Sequence, residues 1–201
     1  MNKLGLIAAL IFGGVLLADI PTADAAAGAA TRFFDPVTRE WVEFGPSVGG
    51  RSTKNPVPRE VVAYDGPHGA NTIIVDTSER RLYFVLGDGT ALKYGVGVGR
   101  DGFQWSGTHR VTRKEEWPGW TPPPAMRKRQ PHLPVHMEGG RNNPLGARAM
   151  YIGSTLYRIH GSNEPWSIGQ AVSSGCIRMV NEDVMHLYEQ VSIGTKVVVQ
   201  N

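Results

Sequence analysis

NTIIVDTSERRLYFVLGDGTALKYGVGV, residues 71–98, is a succession of short apolar runs broken by turn residues. Thr72–Asp76 and Arg81–Leu86 are rich in β-branched and aromatic side chains, and the polar Thr77-Ser78-Glu79-Arg80 between them predicts a hairpin. Gly87-Asp88-Gly89 turns the chain again, into Leu92–Val98. Further candidate strands are Thr108–Thr112, Leu156–His160 and Thr195–Val199. One segment has helical periodicity: Val184, Leu187, Tyr188 and Val191 recur at i, i+3, i+4 and i+7, with Asn181 read as the cap and Glu182 and Asp183 in the first turn. The expected fold is mainly β, a sandwich or barrel with one late α-helix. Between Trp117 and Arg148 lies WPGWTPPPAMRKRQPHLPVHMEGGRNNPLGAR, which is proline-rich and aperiodic. A stretch of that length in a compact domain is expected to be a capping loop over a site.

The flanks bound the rest. A chain of 201 residues with 41% hydrophobic content accommodates one ordinary domain plus appendages. Residues 1–25, MNKLGLIAALIFGGVLLADIPTADA, have Lys3, an apolar run from Leu4 to Ala18, and Ala23-Asp24-Ala25 as a small-x-small site. That pattern is expected to be a cleaved signal peptide; the run falls short of the ~20 residues a membrane span needs. The expected location is therefore exported, in the periplasm or cell envelope. Residues 26–70 contain Pro36, Pro46, Pro56, Pro58 and Pro67 and are read as a tether. Phe33, Phe34, Trp41, Val42 and Phe44 leave room in it for a small hairpin about Asp35-Pro36. The domain proper is expected over 71–201.

A single cysteine excludes an intramolecular disulfide and any zinc site built on paired cysteines. The net charge of +3 and a pI near 9.1 suit anionic surroundings, but the basic residues are scattered, which argues against nucleic acid. The chemistry-bearing residues gather late, in Tyr157-Arg158-Ile159-His160-Gly161 and Ser173-Ser174-Gly175-Cys176-Ile177-Arg178. A thiol attacks as its thiolate and needs a histidine or positive charge nearby; His160 and Arg178 are the candidates. Gly175 clears space beside the sulfur for a carbonyl, and backbone N–H groups in such a turn suit an oxyanion. The residues alone leave open a second reading, in which Cys176 is a buried inert thiol and His160 a satisfied strand histidine.

HGSNEPWSIGQAVSSGCIRMVNEDV, residues 160–184, resembles the active-site signature of the L,D-transpeptidase catalytic domain, the YkuD-like family of peptidoglycan enzymes. The likeness extends to Gly95-Val96-Gly97-Val98-Gly99-Arg100, to Trp117-Pro118 through Pro122-Pro123, and to Asn143-Pro144-Leu145-Gly146-Ala147, covering roughly 71–200. Two positions depart: Gln104-Trp105-Ser106-Gly107 stands where the family often has Thr-Pro-Thr-Gly, and Ser174 where some members have His. The resemblance implies a β-sandwich or barrel in which Cys176 attacks the diaminopimelate carbonyl of a tetrapeptide stem and expels D-alanine. It implies His160 as the proton carrier, the Gly161 carbonyl as its orienter, and N–H groups around Ser174, Gly175 and Cys176 as the oxyanion site. Arg178, Ser173, Asn142, Asn143 and Arg148 become substrate contacts. The implied partners are peptidoglycan stem peptides and an amine acceptor: a second diaminopimelate, an outer-membrane or wall-anchored protein, or water in a carboxypeptidase. No cofactor or metal is implied, and acylation of Cys176 by carbapenems is.

Other readings are weaker. His132 and His136 are spaced for zinc on a helix, but Pro131 and Pro134 disfavour that helix and no glutamate follows His132. The glycines at 95–99 lack the Gly-Lys-Ser/Thr ending of a nucleotide loop. Arg127-Lys128-Arg129 reads as a solvated charge run that also suits an anionic wall. Trp105, Trp117, Trp120 and Trp166 pack or line a cleft. A papain-like protease places its cysteine before its histidine, the reverse of the order here. A non-catalytic wall-binding module would need neither residue.

Overall fold

A computed structural model describes residues 31–35, 40–44 and 54–201. The apolar leader at 1–25, the turn at Pro36 and the tether residues 26–30 and 45–53 lie outside the described residues. β1 (Thr31–Asp35) and β2 (Glu40–Phe44) pair antiparallel with Phe34 opposite Trp41. The main body follows with β3 (Glu60–Ala63), β4 (Thr72–Asp76), β5 (Arg81–Val85), β6 (Thr90–Gly95), β7 (Val98–Gly99) and β8 (Gly107–Glu116). Next come α1 (Pro124–Arg129), β9 (Arg148–Ile152), β10 (Arg158–His160), β11 (Ala171–Ser173), β12 (Ile177–Arg178), α2 (Asn181–Gln190) and β13 (Lys196–Gln200).

Nine strands form one sheet in the order β12-β10-β9-β8-β13-β4-β5-β6-β3, and β11 pairs separately with β7. Alternation explains which face is buried: Ile73 and Val75, Leu82 and Phe84, Val197 and Val199 point inward from three neighbouring strands. Each such side chain contributes roughly 1.5–3 kcal/mol on burial. β8 is the corner. Its first half pairs with β13 and its second half with β9, and the register slips between Val111 and Arg113. The far end then returns: Gly97 and Arg178 exchange both backbone hydrogen bonds, at 2.8 and 2.9 Å, so β12 meets the chain leaving β6. The result is the mainly β sandwich or barrel that the apolar runs predict.

α2 packs Val184 and Leu187 into the core under β9. The cap reading of Asn181 is corrected: Val180 occupies that position and no side chain caps the helix, because Asn181 is turned to other work described below. The helix C-terminus is served by Lys114, whose Nζ donates to the Tyr188 and Val191 carbonyls at 2.6 Å each. A second, six-residue helix, α1, interrupts the long proline-rich loop, with Pro at its start. The chain before residue 70 also contributes: β3 is an edge strand on β6, and Asn55 and Arg59 clasp the buried Asp183 carboxylate at 2.8 and 3.0 Å. No helix among the described residues is long and apolar enough to cross a membrane.

Candidate active site

β10 and β12 run parallel, with His160 opposite Arg178, and Cys176 lies two residues before Arg178. The register therefore brings the histidine, on β10, beside the cysteine, sixteen positions on in sequence and immediately before β12. His160 is buried and its Nδ1 lies 2.6 Å from the Gly161 carbonyl oxygen. A carbonyl can only accept, so Nδ1 carries the proton and Nε2 is the basic nitrogen of the neutral ring. Burial above all, then the Arg178 guanidinium, pushes the His160 pKa down to about 3, against the opposing pull of the backbone bonds to Gly161 and Leu145. The imidazole is thus held neutral and oriented.

The Cys176 thiol is partly exposed and donates to the Leu156 carbonyl at 3.9 Å. Its loop is fixed from three sides. Ser173 Oγ donates to the Cys176 carbonyl at 2.6 Å and accepts from the Gly175 N–H at 3.1 Å. Trp105 Nε1 donates to the Gly175 carbonyl at 2.7 Å. The Trp105 ring stacks on Tyr157, centroids 4.4 Å apart. Gly175 itself has φ +106, and a Cβ there would lie 2.4 Å from Tyr157 Cε1, so backbone and space both require glycine.

The histidine side is braced by Asn181. Its Oδ1 accepts from the Ala147 N–H at 2.9 Å and its Nδ2 donates to the Ser162 carbonyl at 3.1 Å. A Cβ on Gly161 would fall 2.2 Å from that same Oδ1, which explains the glycine after the histidine. Arg178 Nη1 is paired with Glu164 Oε2 at 2.9 Å, tying the nucleophile's strand to the loop that follows His160.

The sequence-derived residues are therefore distributed unevenly. His160, Gly161, Ser173, Ser174, Gly175, Cys176 and Arg178 gather on β10, β12 and their loops. Ser173 is buried with its hydroxyl used inside the loop, so it holds the thiol's backbone. Asn143 is buried and bonded to the Met137 and Glu138 carbonyls and the Leu145 N–H. Arg148 is committed to Glu116 at 3.1 Å and lies over the Tyr188 ring. Asn142 is exposed, and its carbonyl accepts from Asn163 Nδ2 at 3.0 Å, joining the long loop to the loop after His160. His132 and His136 are not on a helix; His136 contacts Thr121 and Glu138. No group of three or more metal-ligating side chains occurs among the described residues. Asn181, Tyr157 and Glu164 are contributors that sequence reading missed; Asn181 carried a helix-start signal that masked its other use.

A partly exposed thiol immediately before β12 and a buried, oriented imidazole on the neighbouring β10, at one end of the sheet, define a cysteine–histidine site. Residues 70–199 match the YkuD family, the L,D-transpeptidase catalytic domain, and the chain belongs to that family. It is 37% identical over 163 residues to the probable L,D-transpeptidase ErfK/SrfK of Escherichia coli, covering 77% of this chain and 50% of that protein. The chain thus spans about half the length of the curated relatives it matches. Among solved structures, a Brucella melitensis protein described as a probable carnitine operon oxidoreductase is 42% identical, with a TM-score of 0.50, covering 73% of this chain and 96% of that one. L,D-transpeptidase 3 of Mycobacterium tuberculosis shares the fold at 20% identity and a TM-score of 0.50, covering 65% of this chain and 60% of that one.

Proposed function

We propose that this protein is an exported peptidoglycan L,D-transpeptidase. The observation that carries the reading is the tautomer of His160 set by the Gly161 carbonyl, which makes Nε2 the basic nitrogen that can take a thiol proton. In the first half-reaction, Nε2 takes the Cys176 proton and the sulfur attacks the carbonyl of the L-centre of diaminopimelate. The bond from that carbonyl to D-alanine breaks, the proton passes from His160 to the leaving amine, and a thioester remains. In the second, an amine attacks the thioester carbonyl and gives its proton to His160, the carbon–sulfur bond breaks, and the proton passes from His160 to the sulfur to restore the thiol. The Gly175 N–H is already bonded to Ser173 Oγ, so the N–H groups of Ser174 and Cys176 are the oxyanion donors in this scheme.

The acceptor amine is the side chain of a second diaminopimelate, giving a 3-3 crosslink, or a protein amine in wall anchoring; with water the same thioester gives trimming. The leader at 1–25 supports export, and the long loop at 117–148 supports a cap over the stem peptide. Carbapenems are expected to acylate the same thiol. Incubation with disaccharide-tetrapeptide and mass analysis of the products tests the reading: crosslinked dimer with released D-alanine from the wild type, and neither from Cys176→Ala, is the expected result. Tripeptide without dimer would reassign the enzyme to trimming, and no product would favour a wall-binding module.

A further inference from the structure

Arg158 and Arg178 flank His160 on adjacent strands, yet their surroundings differ. Arg178 already holds the Glu164 carboxylate. Arg158 is half-buried, no acidic side chain among the described residues pairs with it, and its Nε is buried without a hydrogen-bond acceptor. Its guanidinium lies against the Tyr151 ring, with Cζ 5.2 Å from the centroid. That ring is a fixed platform, because the Tyr151 hydroxyl donates to Glu115 at 2.7 Å and Arg113 stacks on it at 3.7 Å. Arg113 is itself paired with Glu115. The strand register places Arg113, Tyr151 and Arg158 in one row across β8, β9 and β10. Ile159 stands opposite Ile177, so the row continues at Cys176. Side chains in such a row share a face of the sheet.

A guanidinium nitrogen buried without an acceptor is costly, and the planar fork matches a carboxylate at two points. We propose that Arg158 is a carboxylate-binding residue of the donor site, receiving a D-centre carboxylate of the stem peptide one residue from the carbonyl that Cys176 attacks. The inference rests on the acyl-transfer reading above. Two carboxylates meet the description: that of the terminal D-alanine, and that on the side arm of diaminopimelate. Both present the same chemistry to the guanidinium, and both lie within one residue of the reacting carbonyl. The assignment also separates the roles of the two arginines, since Arg178 is occupied in tying the loop while Arg158 is open to the ligand.

The test uses calorimetric binding to the full chain carrying Cys176→Ala, with disaccharide-tetrapeptide and with two analogues, one amidated at the D-alanine terminus and one at the diaminopimelate side arm. Adding Arg158→Gln is expected to weaken tetrapeptide binding about 10- to 100-fold, and Arg158→Lys to recover part of it. One analogue should bind as weakly as the tetrapeptide binds the Arg158→Gln protein, and should be insensitive to that substitution; it identifies the carboxylate held. Tetrapeptide binding within two-fold of the Cys176→Ala parent after Arg158→Gln, or both analogues keeping full sensitivity, would overturn the inference while leaving acyl transfer standing. Absence of tetrapeptide binding to the Cys176→Ala protein would overturn both. Equal thermal midpoints for the Arg158 variants separate lost binding from lost folding, and the lysine variant carries the test if the glutamine variant unfolds.

Discussion

Two loops meet at the cysteine–histidine site, and they are held in opposite ways. The segment from Gly161 to Gly175 is bonded outward to the rest of the fold: Asn181 to Ser162, Glu164 to Arg178, Trp105 to Gly175. The segment from Trp117 to Ala147 is bonded chiefly to itself, through Trp120 and Met137, Thr121 and His136, and Asn143 with Met137, Glu138 and Leu145. It reaches the rest of the fold through the Asn163–Asn142 bond, the Asn181 brace at Ala147 and the backbone bond between Leu145 and His160. The first arrangement fixes the backbone on both sides of the thiol, the kind of positioning that proton transfer and nucleophilic attack require. The second keeps most of its bonds within itself and meets the site only at its end, where Leu145 and Ala147 reach His160 and Asn181, which suits its outer part to setting what enters.

Breaking the outward-bonded loop should matter most. Cys176→Ala is expected to lower turnover roughly a thousand-fold or more with an unchanged thermal midpoint. Retained turnover would remove the thiol from the mechanism. Gly175→Ala meets Tyr157 and a left-handed φ together, so a drop of about 100-fold in turnover and about 1–3 kcal/mol in stability is expected by kinetics and urea titration. Asn181→Ala strands the Ala147 N–H and the Ser162 carbonyl; about 1–3 kcal/mol of stability should go, with turnover falling alongside. Thr121→Ala, inside the self-bonded loop, should change stability by about 0.5 kcal/mol or less and leave the rate of thioester formation untouched. A large effect there would erase the distinction between the loops.

His160 adds a pH signature to the braced side. Its pKa is about 3 in the fold and 6.5 when exposed, so the unfolded chain binds more protons between those values. Its contribution to stability is full above about 6.5 and is lost as pH falls toward 3. Unfolding free energies from urea titration, followed from pH 7 to 4, should fall more steeply for the wild type than for His160→Asn, by up to about 1.4 kcal/mol per pH unit. Equal slopes would contradict the buried, neutral imidazole.

Legibility in the sequence followed the range of the forces involved. The β4–β5 hairpin announced itself because β-branched residues and a polar turn are local properties. β9 was missed, since Ala149 and Met150 in its centre carry no strand preference and the strand is made by burial between β8 and β10. α1 hid in a run of prolines, although Pro124 followed by Ala, Met, Arg and Lys is an ordinary helix start. At the site, Cys176, His160 and the glycines beside them were readable as types with known chemistry. The partners that aim them were not: Asn181 lies 20 residues beyond Gly161, and Trp105 lies 70 before Gly175. Nor could sequence separate Arg178, which has a carboxylate, from Arg158, which has none among the described residues.

The central claim is an acyl group carried on Cys176, and acid-quench mass spectrometry tests it most directly. Wild-type protein mixed with disaccharide-tetrapeptide and quenched within a turnover should gain the mass of the donor less D-alanine, on the peptide that contains Cys176, and His160→Ala should gain it far more slowly. An adduct on another residue, or the same products formed by Cys176→Ala, would contradict the account.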